Sequence, residues 1–285
     1  MTRHEQLNNL DPTFVKEKLK EFFSEDNINE DITTASTQTK QKKINASFIA
    51  KEDMVFAGKE IITQAFEDCS IKEIQDDGAN ILKGNTIATI SGPANSILRK
   101  ERVVLNLLQR LSGVASTTKR IATKLETHNI QLLDTRKTTP GLRIFEKFAV
   151  RVGGGTNHRF SLKDAVMIKD NHLHGNPDII QIVAEAKHKN PGKDIQIEVD
   201  NKEQLAYALA SDASSILLDN FNPDILPDII SHIQSHNTGS SKYIELSGGI
   251  TAKTISQFCI PGVHGISMGA LTHNVKSKDI GLDIK

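Results

Sequence analysis

From residue 130 onward the apolar positions come in short runs, each closed by polar residues and followed by a stretch of helical spacing. The runs are IQLLD (130–134), AVMIK (165–169), IQIEVD (195–200), SILLD (215–219), YIELS (243–247) and HGISMG (264–269). Runs this short and this rich in Ile, Leu and Val read as buried strands. The spacing between them predicts helices over 143–150, 176–190, 201–210, 222–236 and 251–258. Strands alternating with helices predict a parallel sheet with helices outside it, either a barrel or a doubly wound sheet. Six strands are two short of the eight in a complete barrel.

The first hundred residues are patterned differently. Asp11-Pro12 before TFVKEKLKEFFSED predicts a helix with Asp11 as N-cap and Pro12 in its first turn. INASFIAKE (44–52), IKEIQDD (71–77) and LKGNTIATISGP (82–93) read as strands around a helix from Lys59 to Asp68. This mixture predicts a small α+β domain over 1–105, with a catalytic α/β domain over 106–270 and a tail, 270–285, able to pack back on the first domain. Between Ile97 and His128 the spacing of Val103, Val104, Leu107, Leu108, Leu111 and Val114 is helical, with Gly113 as a candidate interruption.

Charge is balanced, with 35 basic and 35 acidic residues, which argues against a general nucleic-acid or membrane surface; any cationic feature must be local. MTRHEQLNNLDPTF lacks the apolar core of a signal peptide, and no apolar run approaches the roughly 18 residues of a membrane span. Cys69 and Cys259 stand far apart without a CxxC partner, so a disulfide or structural-metal framework is not expected and a reducing cytoplasm is.

Candidate chemistry sits where the strands end. The six runs finish in Asp134-Thr135-Arg136-Lys137, Lys169-Asp170-Asn171, Glu198-Val199-Asp200, Asp219-Asn220, Ser247-Gly248-Gly249 and Met268-Gly269. In a parallel barrel all these ends open on one face, where active sites are built. Arg136, Lys137 and Lys169 would meet there, joined by His158 and Arg159 from the loop GGGTNHR. Two cations about 5 Å apart repel by roughly 3 kcal/mol at an effective dielectric near 20. Asp134, Glu198 and Asp219 could compensate them internally, or an anionic ligand could. Arginine suits a planar carboxylate held by two parallel hydrogen bonds, and lysine suits a phosphate. Glu198 and Asp219 offer hard oxygens for magnesium, which takes one or two carboxylates plus substrate phosphates. SGG (247–249) and SMGA (267–270) would let backbone N–H groups approach a phosphate. Gly153-Gly154-Gly155 lacks dinucleotide spacing and reads as a flexible loop delivering His158 and Arg159. His4, His128, His188, His232 and His236 read as surface residues.

At this point the residues resemble a known family, the quinolinate phosphoribosyltransferases. The resemblance rests on ERVVLNLLQRLSGVAS (101–116), LDTRKTTPGLR (133–143), KFAVRVGGGTNHRFSLKDAVMIKDNH (147–172), EVDN (198–201), LLDN (217–220), ELSGGI (245–250) and ISMGALTH (266–273). It implies an α/β fold: an N-terminal α/β sandwich domain and an incomplete six-stranded, TIM-like α/β barrel. It also implies conversion of quinolinate and phosphoribosyl pyrophosphate to nicotinate mononucleotide, pyrophosphate and carbon dioxide, with Mg2+, on the route to NAD. By the family's pattern Arg136, Arg159 and Lys169, with His158, would hold the two carboxylates of quinolinate, and Thr135 belongs to the same substrate-binding loop. Lys137 would contact the pyrophosphate or ribose phosphate. Glu198 and Asp219 would face the ribose and magnesium. Ser247, Gly248 and Gly249 with Ser267, Met268 and Gly269 would cradle the 5′-phosphate. Arg102 would reach the site of a partner subunit in a homodimer or higher homo-oligomer. His264 stands where the family pattern leads one to expect an acid. A Schiff-base aldolase using Lys169 is a rival, but it leaves the paired arginines unexplained.

Overall fold

The fold comes from a computed structural model, which describes residues 4–38, 42–173 and 178–284. It divides into two compact units. One gathers Leu7–Lys119, Ile144–Gly154 and Asn274–Lys285, the other Met1–Gln6, Arg120–Arg143 and Gly155–His273.

The first of these units opens with helix α1 (Pro12–Glu25), where Asp11 accepts a hydrogen bond from the Phe14 N–H at 2.8 Å. Helix α2 (Ile32–Thr37) precedes strands β1 (Lys43–Ala50) and β2 (Met54–Val55). Helix α3 (Lys59–Ala65) then leads to β3 (Ser70–Ile74), β4 (Asn80–Ile81) and β5 (Thr86–Pro93). The main sheet is antiparallel, with β1 between β5 and the chain's last strand, Ile280–Ile284, and with β3 outside β5. Phe48 and Ile90 of this sheet are buried, as are Ile61, Ile62 and Phe66 on and after α3, and the Phe48 and Phe66 rings lie 5.9 Å apart.

Helix α4 (Ala94–Leu125) runs unbroken through Gly113, against the expected interruption. A Cβ at Gly113 would lie 2.5 Å from the Lys276 carbonyl oxygen, so this glycine makes room for the C-terminal segment. The continuous helix also explains why the expected boundary at 105/106 differs from the one between Lys119 and Arg120: no break in pattern marks it.

The second unit holds six parallel strands: β6 (Gln131–Leu133), β7 (Val166–Ile168), β8 (Ile195–Val199), β9 (Ser215–Asp219), β10 (Tyr243–Ser247) and β11 (Gly265–Ser267). Their order is β6-β11-β10-β9-β8-β7. A doubly wound sheet reverses its strand order at a switch point. Here β7 to β11 follow one another without reversal, and β6 pairs with β11 rather than β7. This is a barrel left open between β6 and β7, and it excludes the doubly wound alternative. On its open side β6 makes one bridge to the loop after the triple glycine: Thr156 N–H donates to Leu132 O at 2.7 Å, and Asp134 N–H to Thr156 O at 3.1 Å.

Helices α5 (Arg143–Val152), α6 (Asp170–Leu173), α7 (Ile179–Lys189), α8 (Lys202–Ala210), α9 (Leu226–Ser235) and α10 (Ala270–His273) complete the chain. The helix expected over 176–190 begins at Ile179, and positions 176 and 177 lie outside the described residues. The one expected over 251–258 is only a 3-10 turn, Ile255–Phe258. The Thr251 and Thr254 hydroxyls accept each other's backbone N–H at 3.3 and 3.0 Å, a local alternative to helix, and Pro261 follows closely. His264, in place of the expected acid, accepts the Ile244 N–H at 3.0 Å and stacks on Tyr243 at 5.2 Å.

Candidate active site

The loop after β6 is built by its neighbours in the barrel unit. Asp134 is wholly buried and accepts from the His158 N–H at 2.8 Å and from Asn157 Nδ2 at 2.7 Å. The first acid expected to compensate the cations therefore binds the 155–159 backbone. Thr135 Oγ1 accepts the Lys137 N–H at 3.0 Å, and the Thr272 hydroxyl donates to Lys137 O at 2.7 Å. A Cβ at Gly269 would lie 2.7 Å from Lys137 Cδ, so the glycine leaves space for the lysine stem. Arg143 donates to Thr138 Oγ1 at 3.0 Å and to Phe160 O at 3.2 Å, joining this loop to the next.

That next loop does not start as a flexible one. Gly153 is buried; a Cβ there would lie 2.5 Å from Ala115 O and 2.6 Å from Thr118 Cβ. Gly154, at φ 87°, stops α5 in the left-handed conformation that glycine adopts without strain. Downstream, Arg159 is 7 % exposed and donates to Ala165 O at 2.9 Å. Burial, then the nearby Arg136 charge, push its guanidinium below the usual arginine range. His158 has both ring nitrogens engaged: Nδ1 accepts the Arg159 N–H at 2.8 Å, and Nε2 lies 3.2 Å from Gln196 Oε1 and 3.5 Å from Glu245 Oε2. The Nδ1 bond puts the ring proton on Nε2, facing that amide and carboxylate. Gln196 Nε2 in turn donates to Glu245 at 2.8 Å. Burial pushes the Glu245 carboxyl up, but electrostatic attraction to the facing His158 ring and hydrogen bonds from His158, Gln196 and Ser267 outweigh it and bring it down to about 2. His4, expected on the surface, is half-buried with its ring 4.5 Å from that of His158.

The remaining acids gather at the ends of β8 and β9. Lys169 donates to Glu198 in a close ion pair. Burial raises the Glu198 carboxyl, Lys169 partly offsets this, and Asp219 and Asp200 raise it further. Asp200 is raised by burial and then by Asp219 and Asp170. Asp219 accepts from Asn220 Nδ2 at 2.6 Å. With the acids so committed, Arg136, Lys137 and Arg159 have no ion-pair partner among the described residues, and Arg136 Nε is buried without a hydrogen-bond acceptor. Among the described residues no acid forms an ion pair with these cations, an arrangement that suits an anionic ligand. Among the described residues no cluster of three or more His, Cys, Asp or Glu stands ready to hold a metal.

The two triplets expected to cradle a phosphate differ in how open they are. Gly248 has φ 90°, and a Cβ there would collide with Asn220; Gly249, at φ 60°, is exposed with open space beside it. Ser267 is instead buried and hydrogen-bonds Glu245, while the Met268 N–H donates to Leu133 O at 3.0 Å and its side chain is 2 % exposed. Both are committed to the framework, leaving Gly269 at the rim. Arg102 is exposed on α4 in the first unit. Sequence reasoning overlooked Gln6, Arg143, Asn157, Gln196, Glu245 and Thr272. Glu245 and Gln196 carried a signal: a polar residue between Ile244 and Leu246, or between Ile195 and Ile197, inside a buried run must find a partner there. No described helix is long and apolar enough to cross a membrane.

Comparison with known proteins identifies the family. Residues 31–112 match the N-terminal domain of quinolinate phosphoribosyl transferase and residues 114–283 its C-terminal domain. A probable nicotinate-nucleotide pyrophosphorylase (carboxylating) of Bacillus subtilis is 42% identical over 95% of this chain and 93% of its own length. One from Methanocaldococcus jannaschii is 40% identical over 89% and 91%. The structure of the nicotinate-nucleotide pyrophosphorylase from Francisella tularensis superimposes with a TM-score of 0.91 at 32% identity, covering 99% of both chains. Two matched domains spanning nearly the whole sequence, on an open six-stranded barrel with uncompensated cations at its strand ends, place this chain in the quinolinate phosphoribosyltransferase family.

Proposed function

We propose that this chain transfers the phosphoribosyl group of phosphoribosyl pyrophosphate to quinolinate with loss of carbon dioxide, yielding nicotinate mononucleotide and pyrophosphate for NAD biosynthesis. The observation that carries the reading is the set of cations without an ion-pair partner among the described residues, Arg136, Lys137 and Arg159, on strand-end loops of the barrel that also carries the Lys169–Glu198 pair. A planar dicarboxylate suits the arginines, and a polyphosphate ester suits the lysine.

In this reading Arg136, Arg159 and Lys169 hold the two carboxylates, and His158 serves by holding Arg159. A substrate carboxylate takes the place of Glu198 on Lys169, which releases Glu198 toward the ribose. The bond from the anomeric carbon to pyrophosphate breaks with its electron pair going to pyrophosphate, beside Lys137. Glu198 and Asp219 stabilise the positive charge left on the sugar. The ring nitrogen attacks that carbon. The resulting pyridinium accepts the electron pair released as the adjacent carboxylate leaves as carbon dioxide, and a solvent proton completes the ring carbon. Ser247, Gly248 and Gly249, with Gly269, take the 5′-phosphate.

The acids fit magnesium as a metal that arrives with its substrate. Glu198, Asp200 and Asp219 repel one another, which a divalent cation relieves, and magnesium keeps most of its coordination for water and phosphate. Glu198 and Asp219 would hold it, and it would neutralise charge on the departing pyrophosphate. We further infer a homodimer or larger homo-oligomer in which Arg102 completes the partner's site, and a cytoplasmic location. The test is pyridine absorbance together with carbon dioxide release, from quinolinate and from nicotinate as acceptors. Nucleotide from quinolinate alone, with equal carbon dioxide, is expected; turnover of nicotinate, or none of quinolinate, would overturn the proposal.

A further inference from the structure

We infer that Gln6 is a positioning residue for the acceptor clamp, acting through the backbone of the loop that carries Arg159; the inference rests on the reading that Arg159 binds quinolinate. Gln6 lies outside both matched family domains, which begin at residue 31. Its side-chain amide grips one buried residue twice: Oε1 accepts the Asn157 N–H at 2.9 Å, and Nε2 donates to Asn157 O at 3.0 Å. A glutamine side chain here does what a neighbouring strand would do. It sits beside the gap between β6 and β7, where the Leu133–Thr156 bridge also supports the loop's backbone.

The grip acts in concert with others. Asn157 Nδ2 and the His158 N–H both bind Asp134, at 2.7 and 2.8 Å. The His4 ring covers His158 at 4.5 Å, and His158 accepts the Arg159 N–H at 2.8 Å. From Gln6 the links run by hydrogen bond to Asn157, along the chain to His158, and by chain and hydrogen bond to Arg159. Residues 4–6 thus form a strap over the loop, and its loss would let Arg159 drift from the planar arrangement a carboxylate requires. A misplaced charge-assisted clamp weakens binding of the one ligand it faces.

The experiment compares the unaltered chain with Gln6→Ala and with Gln6→Glu, which keeps the acceptor for the Asn157 N–H and loses the donor. KM for quinolinate is expected to rise about tenfold in Gln6→Ala and less in Gln6→Glu, with kcat and the KM for phosphoribosyl pyrophosphate within about twofold. Hydrogen exchange at Asn157 should quicken in Gln6→Ala while the melting temperature holds. Equal rises in both KM values, or an unmoved quinolinate KM in a chain that otherwise turns over, would overturn the inference alone. Absence of turnover by the unaltered chain would overturn the functional reading, and unchanged exchange at Asn157 would still reject the strap by itself.

Discussion

At the scale of single residues the most informative pair is Lys169 and Glu198. Two opposite charges that the proposed reaction assigns to its substrates hold each other in the protein. Lys169→Ala, like Arg136→Ala, is therefore expected to weaken quinolinate binding by about tenfold or more, since each charge-assisted bond contributes roughly 1.5–3 kcal/mol. Glu198→Ala should instead lower turnover. The pair also fixes a pH effect. Lys169 is what limits the upward pull of burial on Glu198. Removing it raises the carboxyl further in the free enzyme, so the acid limb of the kcat/KM profile for quinolinate in Lys169→Ala should move to higher pH. An acid limb that stays in place would show that Glu198 does not set it. The charged residues of this site were legible one by one in the sequence. Their partners were not, because Gln6 and Asn157 are 151 positions apart and nothing local joins them.

At the scale of elements, close approach decides positions that propensity reads wrongly. Gly113 looks like a helix breaker and is a contact point, with the Lys276 carbonyl where a methyl group would be. Gly113→Ala improves helix propensity by about 1 kcal/mol, yet overpacking costs typically 1–3 kcal/mol, so a net loss in denaturant unfolding is expected. Gly248→Ala faces both a left-handed φ of 90° and the Asn220 side chain, and should destabilise the β10 loop while impairing use of the phosphoribosyl donor more than of quinolinate. The strands were legible because short apolar runs closed by polar residues are a strong signal. The turn at 255–258 was misread as a helix because two threonine hydroxyls replace the helical bonds.

At the scale of the whole molecule the barrel carries a buried carboxylate that should shape its acid stability. Glu245 has its carboxyl lowered in the folded state from 4.5 to about 2. A group depressed on folding contributes stability that is full above its unfolded value and is lost as pH falls through the folded one. Denaturant midpoints of the unaltered chain should thus fall steeply between pH 4.5 and about 2, and the drop should be shallower in Glu245→Gln. An equal drop in both would assign the acid branch to other carboxylates. Assembly is tested by mixing Arg102→Ala with Lys169→Ala: shared sites predict that the mixture is more active at low quinolinate than either variant alone.

The sequence by itself determined the alternation of strand and helix, the placement of charge at strand ends, and the kinship that motif order makes specific, because these follow from local periodicity and residue chemistry. The tertiary structure decided the rest. It ordered the strands into an open barrel rather than a doubly wound sheet, since pairing across the fold leaves no trace in a single strand's pattern. It also assigned the acids their partners: Asp134 a backbone, Glu198 Lys169, Glu245 His158. Which cation is left for a ligand depends on distances between segments far apart in the chain, and only the folded molecule sets those.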